Sequence, residues 1–326
     1  METATPLKGA FLTTKRSTTT TTRRSVASKD GTVVGYRVVV AAAAPEPGAG
    51  SEAERERRPS VVLVQGSFGT ADHFDELSRL LAADFTVVIP DRRGRGMTPC
   101  AFTDEYGAAK EVEDLDAVAN AVDASFVFGL SSGGIVALEA ALALQRIKRV
   151  AVFEPPFLFG DFASTKVQVD RFQSEMRTGR VAAGMVSAMR MAQFAPWWIN
   201  CLPRPLLEAL TWVALKLDSK PGPSRRYPPL RDLALSTRFD FALVYDASVA
   251  GIDKYKNIKT SLLLLGGDRS PAYLKESLGA LHAVVPEASK TEIAGVGHGA
   301  SWNHDRGGKP EAVAPVLSKF FLEMDR

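Results

Sequence analysis

The chain carries only two cysteines, Cys100 and Cys201, too few for a disulfide scaffold. It contains no N-x-S/T sequon, and its N-terminus lacks the apolar core of a secretion signal. A reducing, intracellular and cytoplasmic setting is therefore expected. No apolar run reaches the ~18 residues needed to span a bilayer. The longest candidate, Leu206 to Leu217, is interrupted by Glu208. Basic excess is also missing from the body of the chain: the formal charge is +3, but residues 1 to 30 hold six Lys/Arg against two acids, leaving 34 basic and 35 acidic residues beyond them. Nucleic acid is not an expected partner. No H-E-x-x-H or paired-cysteine spacing offers a metal site, and no G-x-G-x-x-G or Walker loop follows a strand, so neither metal nor nucleotide cofactor is expected.

What the chain does have is enough apolar material, 45% over 326 residues, for one core with an elaboration. Residues 1–24 are rich in threonine and basic residues with Glu2 as the single acid, which reads as a disordered tail or, alternatively, a mitochondrial targeting segment. Order is expected from Ser25, with Thr32 to Val40 as a strand and residues 41–59 as an exposed linker rich in Pro, Gly and charge.

From Ser60 onward, short continuous apolar runs alternate with helical stretches. The runs are Val61–Val64, Phe85–Ile89, Phe126–Phe128, Val150–Phe153 and Leu262–Leu265, with a further strand near Thr291–Ala294. Strands buried on both faces belong to parallel sheets covered by helices. Between Pro156 and residue 258 the runs stop, and apolar residues recur at helical spacing: Val169, Phe172 and Met176; then Val181, Met185, Ala188, Met189 and Ala192; then Leu206, Leu207, Leu210, Val213 and Leu217. The expected architecture is α/β, a mostly parallel central sheet flanked by helices, with residues 25–156 and 258–326 as core and 157–257 as an inserted helical lid.

Reactive groups of open α/β sheets gather where the carboxyl ends of the strands open into loops. After the strand ending at Val64 comes Gln65-Gly66-Ser67-Phe68-Gly69, and after Ile89 comes Pro90-Asp91-Arg92-Arg93-Gly94-Arg95-Gly96. After Phe128 comes Gly129-Leu130-Ser131-Ser132-Gly133, a G-x-S-x-G turn that lifts one hydroxyl above the sheet. Asp268 and His298 follow later strands, in Gly266-Gly267-Asp268 and Gly297-His298-Gly299. A serine hydroxyl needs a base within reach, and an imidazole needs a carboxylate to fix its tautomer. Ser131, His298 and Asp268 are the candidates for these roles. Glu154 also follows a strand and is the alternative acid, although Glu154-Pro155-Pro156 reads as a rigid exit into the lid.

From Ser25 to the C-terminus these motifs resemble the α/β-hydrolase family: Gly129–Gly133 matches its nucleophile elbow, Gly266–Asp268 its acid loop, Gly297-His298 its histidine loop and Asp91–Gly96 its D-x-R-G-x-G turn. Gln65 stands where many members have histidine, which keeps backbone N–H donation but alters the polar lining. The resemblance implies a cofactor-independent serine hydrolase acting on an ester, lactone or thioester of a small lipophilic molecule through an acyl-Ser131 intermediate. The N–H groups of Ser67 and Ser132 would form the oxyanion hole. Phe68, Met189, Trp197, Trp198 and Trp212 are candidate substrate contacts. Alternatives on the same fold are C–C bond hydrolysis, perhydrolysis, or ligand binding with little turnover.

Overall fold

Most of the short apolar runs become strands because they are rich in β-branched or aromatic residues and bounded by turn residues. In the computed structural model, which describes residues 19–42, 58–191, 201–218 and 226–323, the strands are β1 (Thr19–Ala27), β2 (Val33–Ala41), β3 (Ser60–Val64), β4 (Thr86–Pro90), β5 (Ala124–Leu130), β6 (Arg149–Phe153), β7 (Ser261–Gly267) and β8 (Ser289–Ile293). They form an eight-stranded sheet in the order β1-β2-β4-β3-β5-β6-β7-β8. The pairs β1–β2 and β2–β4 are antiparallel, and all pairs from β4 to β8 are parallel.

Alternating side chains of the parallel strands feed two cores. One face (Val62, Val64, Val127, Val150, Val152, Leu262, Leu264) is covered by α2 (Ala108–Ala121), α3 (Ser132–Ala143) and α8 (Ala272–Val284). The other face (Val61, Leu63, Phe128, Ala151, Phe153, Leu263, Leu265) packs on α1 (Asp75–Leu81) and α9 (Pro310–Leu322). Continuous apolar strands are thus buried on both sides, as parallel strands require.

Between β6 and β7 lie α4 (Phe162–Arg177), α5 (Val181–Met191), α6 (Arg204–Asp218) and α7 (Leu230–Val249). Phe172, Met176, Val181, Ala188, Leu215 and Ala234 join them in a separate cluster, against which Phe68 and Phe241 pack. In α6, Leu207 and Leu215 are buried while Leu206, Leu210, Val213 and Leu217 are exposed, so most of the third apolar stripe faces outward. The 20-residue α7, for which no stripe was singled out in the sequence, is the longest element among the described residues and reaches back to α3 and α4.

One boundary is corrected. Thr19 to Arg24 belong to β1, paired residue for residue with β2 from Thr19–Ala41 to Ala27–Val33, and not to a disordered tail. Threonine favours extended backbone, and an edge strand tolerates the polar residues that a core strand would not. Residues 1–18 and most of the expected linker, 43–57, lie outside the described residues.

Helix α3 approaches the end of β3 so closely that a Cβ on Gly133 would meet the carbonyl oxygens of Val64 and Gln65, both fixed backbone atoms. Gly133→Ala should therefore destabilise the protein by about 1–3 kcal/mol in urea unfolding. Gly279→Ala, in α8 with nothing within 4 Å of the added Cβ, should be neutral or stabilising in the same assay.

Candidate active site

Ser131 follows β5 and caps the start of α3 with φ 56° and ψ -125°. A left-handed φ on a non-glycine residue is strained and persists only where its surroundings hold it. Here the Ser131 N–H donates to the Phe153 carbonyl at 2.9 Å and its own carbonyl accepts from Gly134 N–H at 2.8 Å. A Cβ on Gly66 would lie 2.8 Å from that of Ser131, so the loop after β3 fits against the serine only because residue 66 is glycine. Phe68 in that loop and Glu154 after β6 have φ of 59° and 48°, adding further non-glycine left-handed residues at strand ends of the same sheet edge.

His298 follows β8, and its Nδ1 lies 2.8 Å from Glu154 Oε2. The Glu154 side chain is fully buried, while that of His298 is 17% exposed. Glu154 Oε1 accepts from Gly267 N–H at 2.7 Å, fixing the carboxylate against the end of β7. An ionised carboxylate only accepts, so it holds the proton on Nδ1 and presents Nε2 as the basic atom of the ring. The assignment of Asp268 as the partner of His298 is corrected by this geometry. Asp268 is exposed, and its Oδ1 accepts from Gly295 N–H at 2.8 Å, a bond that holds its carboxyl below the usual range. The acid loop has turned outward, and the residue after β6 occupies the position beside the imidazole.

Ser132 is fully buried. Its hydroxyl donates to Asp240 Oδ1 at 2.6 Å and accepts from Arg92 Nη1 at 3.0 Å. As the first residue of α3, its N–H has no carbonyl four residues back within the helix. Ser67, Phe68, Ser131 and Met189 line a cavity of about 640 Å³, together with Phe157, Phe159, Phe241 and Tyr273. Burial pushes the Tyr273 hydroxyl up to about 12, with a smaller contribution from Glu154. The cavity walls come from core loops and α8 on one side and α4, α5, α6 and α7 on the other.

Trp212 lies on the outer face of α6, 54% exposed, with Lys216 Nζ 4.3 Å from its ring centroid, and does not line the cavity. The expected contacts Trp197 and Trp198 lie outside the described residues. Gln65 is buried and turned away from the cavity, its Nε2 donating to the Pro90 carbonyl at 2.5 Å. Asp91 ties two loops by accepting from the N–H groups of Ala71 at 2.7 Å and Met97 at 2.9 Å. The acid that sequence reasoning missed is Asp240, buried on α7; its signal was a lone carboxylate among apolar residues in Phe239-Asp240-Phe241-Ala242-Leu243. Among the described residues no cluster of His, Cys, Asp or Glu side chains has the makings of a metal site, and no helix is long and apolar enough to cross a membrane.

Residues 61–316 match the alpha/beta hydrolase family. The chain belongs to that family. Esterase YbfF of Escherichia coli (strain K12) is 26% identical to this hydrolase over 268 residues, spanning 80% of this chain and 92% of that protein. An alpha/beta hydrolase from Sphaerobacter thermophilus superposes with a TM-score of 0.65 at 26% identity, covering 91% of this chain and all of that one. The enol-lactonase from Burkholderia xenovorans shares the fold at a TM-score of 0.59 and 18% identity, over 92% of this chain and 100% of its own.

His73 is a buried histidine outside this site. It is buried against the rings of Tyr227 and Trp302, with centroids at 4.5 and 5.6 Å, and its Nδ1 accepts from Thr70 N–H at 3.0 Å. Burial, aided by nearby Arg306, lowers its pKa from 6.5 to about 4. Because the folded state resists the proton that the unfolded chain accepts, the stability from neutral His73 is complete above pH 6.5 and is lost as pH falls towards 4. Urea unfolding of His73→Gln between pH 7 and 4 should show a shallower loss than the wild type, the difference approaching about 1.4 kcal/mol per pH unit.

The pairing of His298 carries a second expected outcome. Glu154→Gln should lower kcat on p-nitrophenyl esters by about 10³–10⁴-fold, whereas Asp268→Asn should leave it within about twofold.

Proposed function

We propose that this hydrolase is a cofactor-independent serine esterase in which Ser131 is the nucleophile, His298 the general base and acid, and Glu154 the carboxylate that orients the imidazole. The reading is carried by the Glu154–His298 pair at 2.8 Å beside a strained serine elbow. Ser131, Glu154 and His298 follow β5, β6 and β8, strands that run parallel, so all three lie at the carboxyl edge of one sheet.

In the first half-reaction, Ser131 Oγ bonds to the substrate carbonyl carbon while its proton passes to His298 Nε2. The carbonyl oxygen becomes an oxyanion facing the N–H groups of Ser67 and Ser132, each such donor being worth about 3 kcal/mol at the transition state. Collapse expels the alcohol, which takes the proton from His298 and leaves acyl-Ser131. Water then repeats the sequence, losing its proton to His298, and the acid departs as Ser131 regains its hydrogen.

The cavity supports this choice of substrate class. Its volume of about 640 Å³ and its lining of Phe68, Phe157, Phe159, Val169, Met189 and Phe241 suit a small lipophilic acyl or aromatic group. Lactones and thioesters present the same carbonyl to the same nucleophile and fall within this reading. The name of the E. coli relative, an esterase, agrees with an oxygen ester as the first substrate to try.

An alkylphosphonate probe should label the wild type covalently and fail to label Ser131→Ala, whose turnover of p-nitrophenyl esters should fall by about four or more orders of magnitude. A folded wild type that takes no label and turns over no ester, lactone or thioester would overturn the assignment.

A further inference from the structure

A buried ionic cluster joins the lid to the loop after β3. Arg92 donates from Nε and Nη2 to Glu111 at 3.1 and 2.9 Å, and from Nη1 to Asp240 Oδ1 at 2.7 Å, the Ser132 hydroxyl at 3.0 Å and the Gln65 carbonyl at 3.0 Å. Arg95 donates from Nη2 to Asp240 Oδ2 at 2.9 Å, and from Nη1 to the carbonyls of Gly66 at 3.0 Å and Gly69 at 3.3 Å. All these side chains are buried. Two guanidinium groups thus face two carboxylates, and the carboxylate on Arg95 is that of Asp240, which comes from α7 in the lid.

The covalent geometry gives this cluster a reach beyond stability. The Gly66 carbonyl and the Ser67 N–H belong to one planar peptide unit, in which the two groups point in opposite directions. Anchoring the carbonyl on Arg95 therefore fixes where the N–H aims. A cation on the carbonyl also polarises the unit, strengthening the N–H as a donor. On the other side, the Ser132 hydroxyl ties the first residue of α3 to the same Asp240. Burial pushes the Asp240 carboxyl up, but Arg95, Arg92 and the Ser132 hydroxyl outweigh it and keep it ionised.

We propose that Asp240 is a positioning residue: by bridging Arg95, Arg92 and Ser132 it sets the two N–H groups of the oxyanion hole, so that the site is complete only with the lid helix seated. The inference rests on the assignment of Ser131, Ser67 and Ser132 made above. Asp240 touches no reacting atom in this scheme. Its effect is on the transition state and passes through Arg95 and the Gly66–Ser67 peptide.

Asp240→Asn keeps the shape but turns an amide N–H towards one of the guanidinium groups. Per active site titrated with the alkylphosphonate, its kcat on a p-nitrophenyl ester should fall about 10–100-fold with KM within about threefold. Inhibition by an alkylboronate, which mimics the tetrahedral adduct, should weaken in step with kcat/KM. Arg95→Lys retains the charge beside Asp240 while losing the planar fork, should show the same split, and decides the matter if the asparagine variant does not fold. A folded variant with kcat per labelled site within twofold of wild type, or one whose loss lies in KM with boronate affinity unchanged, overturns the proposal while leaving Ser131 as nucleophile. A wild type that takes no phosphonate overturns the nucleophile assignment instead, and the positioning role with it.

Discussion

Arg92 and Arg95 lie almost out of reach of water beneath the loop after β3, and much of the architecture around the serine follows from satisfying them. An unpaired buried guanidinium is costly, so its charge must be met by carboxylates and fixed acceptors; of the donors only Arg95 Nε is left without one. Glu111 comes from α2, Asp240 from α7, and the remaining acceptors are carbonyls of Gln65, Gly66 and Gly69 and the hydroxyl of Ser132. Elements distant in sequence are thereby fixed to one pair of cations. The same turn that looks like a structural fastener in the D-x-R-G-x-G motif also sets the floor under the elbow.

Above that floor, the parallel sheet places its chemistry by topology. The strand ends of β5, β6 and β8 deliver Ser131, Glu154 and His298 to one edge, and the end of β7 supplies the Gly267 N–H that holds Glu154. The helices between β6 and β7 cover this edge with mostly apolar side chains, and Asp240 and Arg190 are their charged residues in the cavity lining. Polar atoms are concentrated under the serine, while the cavity beyond it is mostly apolar.

Much of this was legible in the sequence. Buried strands announce themselves as continuous apolar runs, and the regular alternation with helices determines a parallel sheet; the glycines at 129 and 133 mark the elbow because a Cβ on Gly133 would strike the end of β3 and one on Gly129 the backbone of Gly133 and Gly134. The acid was harder to read. Asp268 and Glu154 both follow strands, and local context favoured the aspartate in its glycine frame. What decides is side-chain direction: Glu154 has a left-handed backbone and a longer reach, while Gly295 N–H draws the Asp268 carboxylate outward. Asp240 was harder to read for a different reason: its local mark is a lone carboxylate among apolar residues, while its partners Ser132, Arg95 and Arg92 lie 108, 145 and 148 residues away.

The polar strand β1 has a consequence for the whole sheet. β2, with its Val-Val-Gly-Tyr-Arg-Val-Val-Val sequence, is the kind of flat apolar edge to which other chains add strands. Thr19–Ala27 covers it along its full length with mostly exposed threonines and arginines. Two of those arginines, Arg23 and Arg24, then stand as like charges on the outermost strand, where an approaching copy would have to pair against them. The N-terminal strand thus replaces an apolar outer edge with a polar, positively charged one.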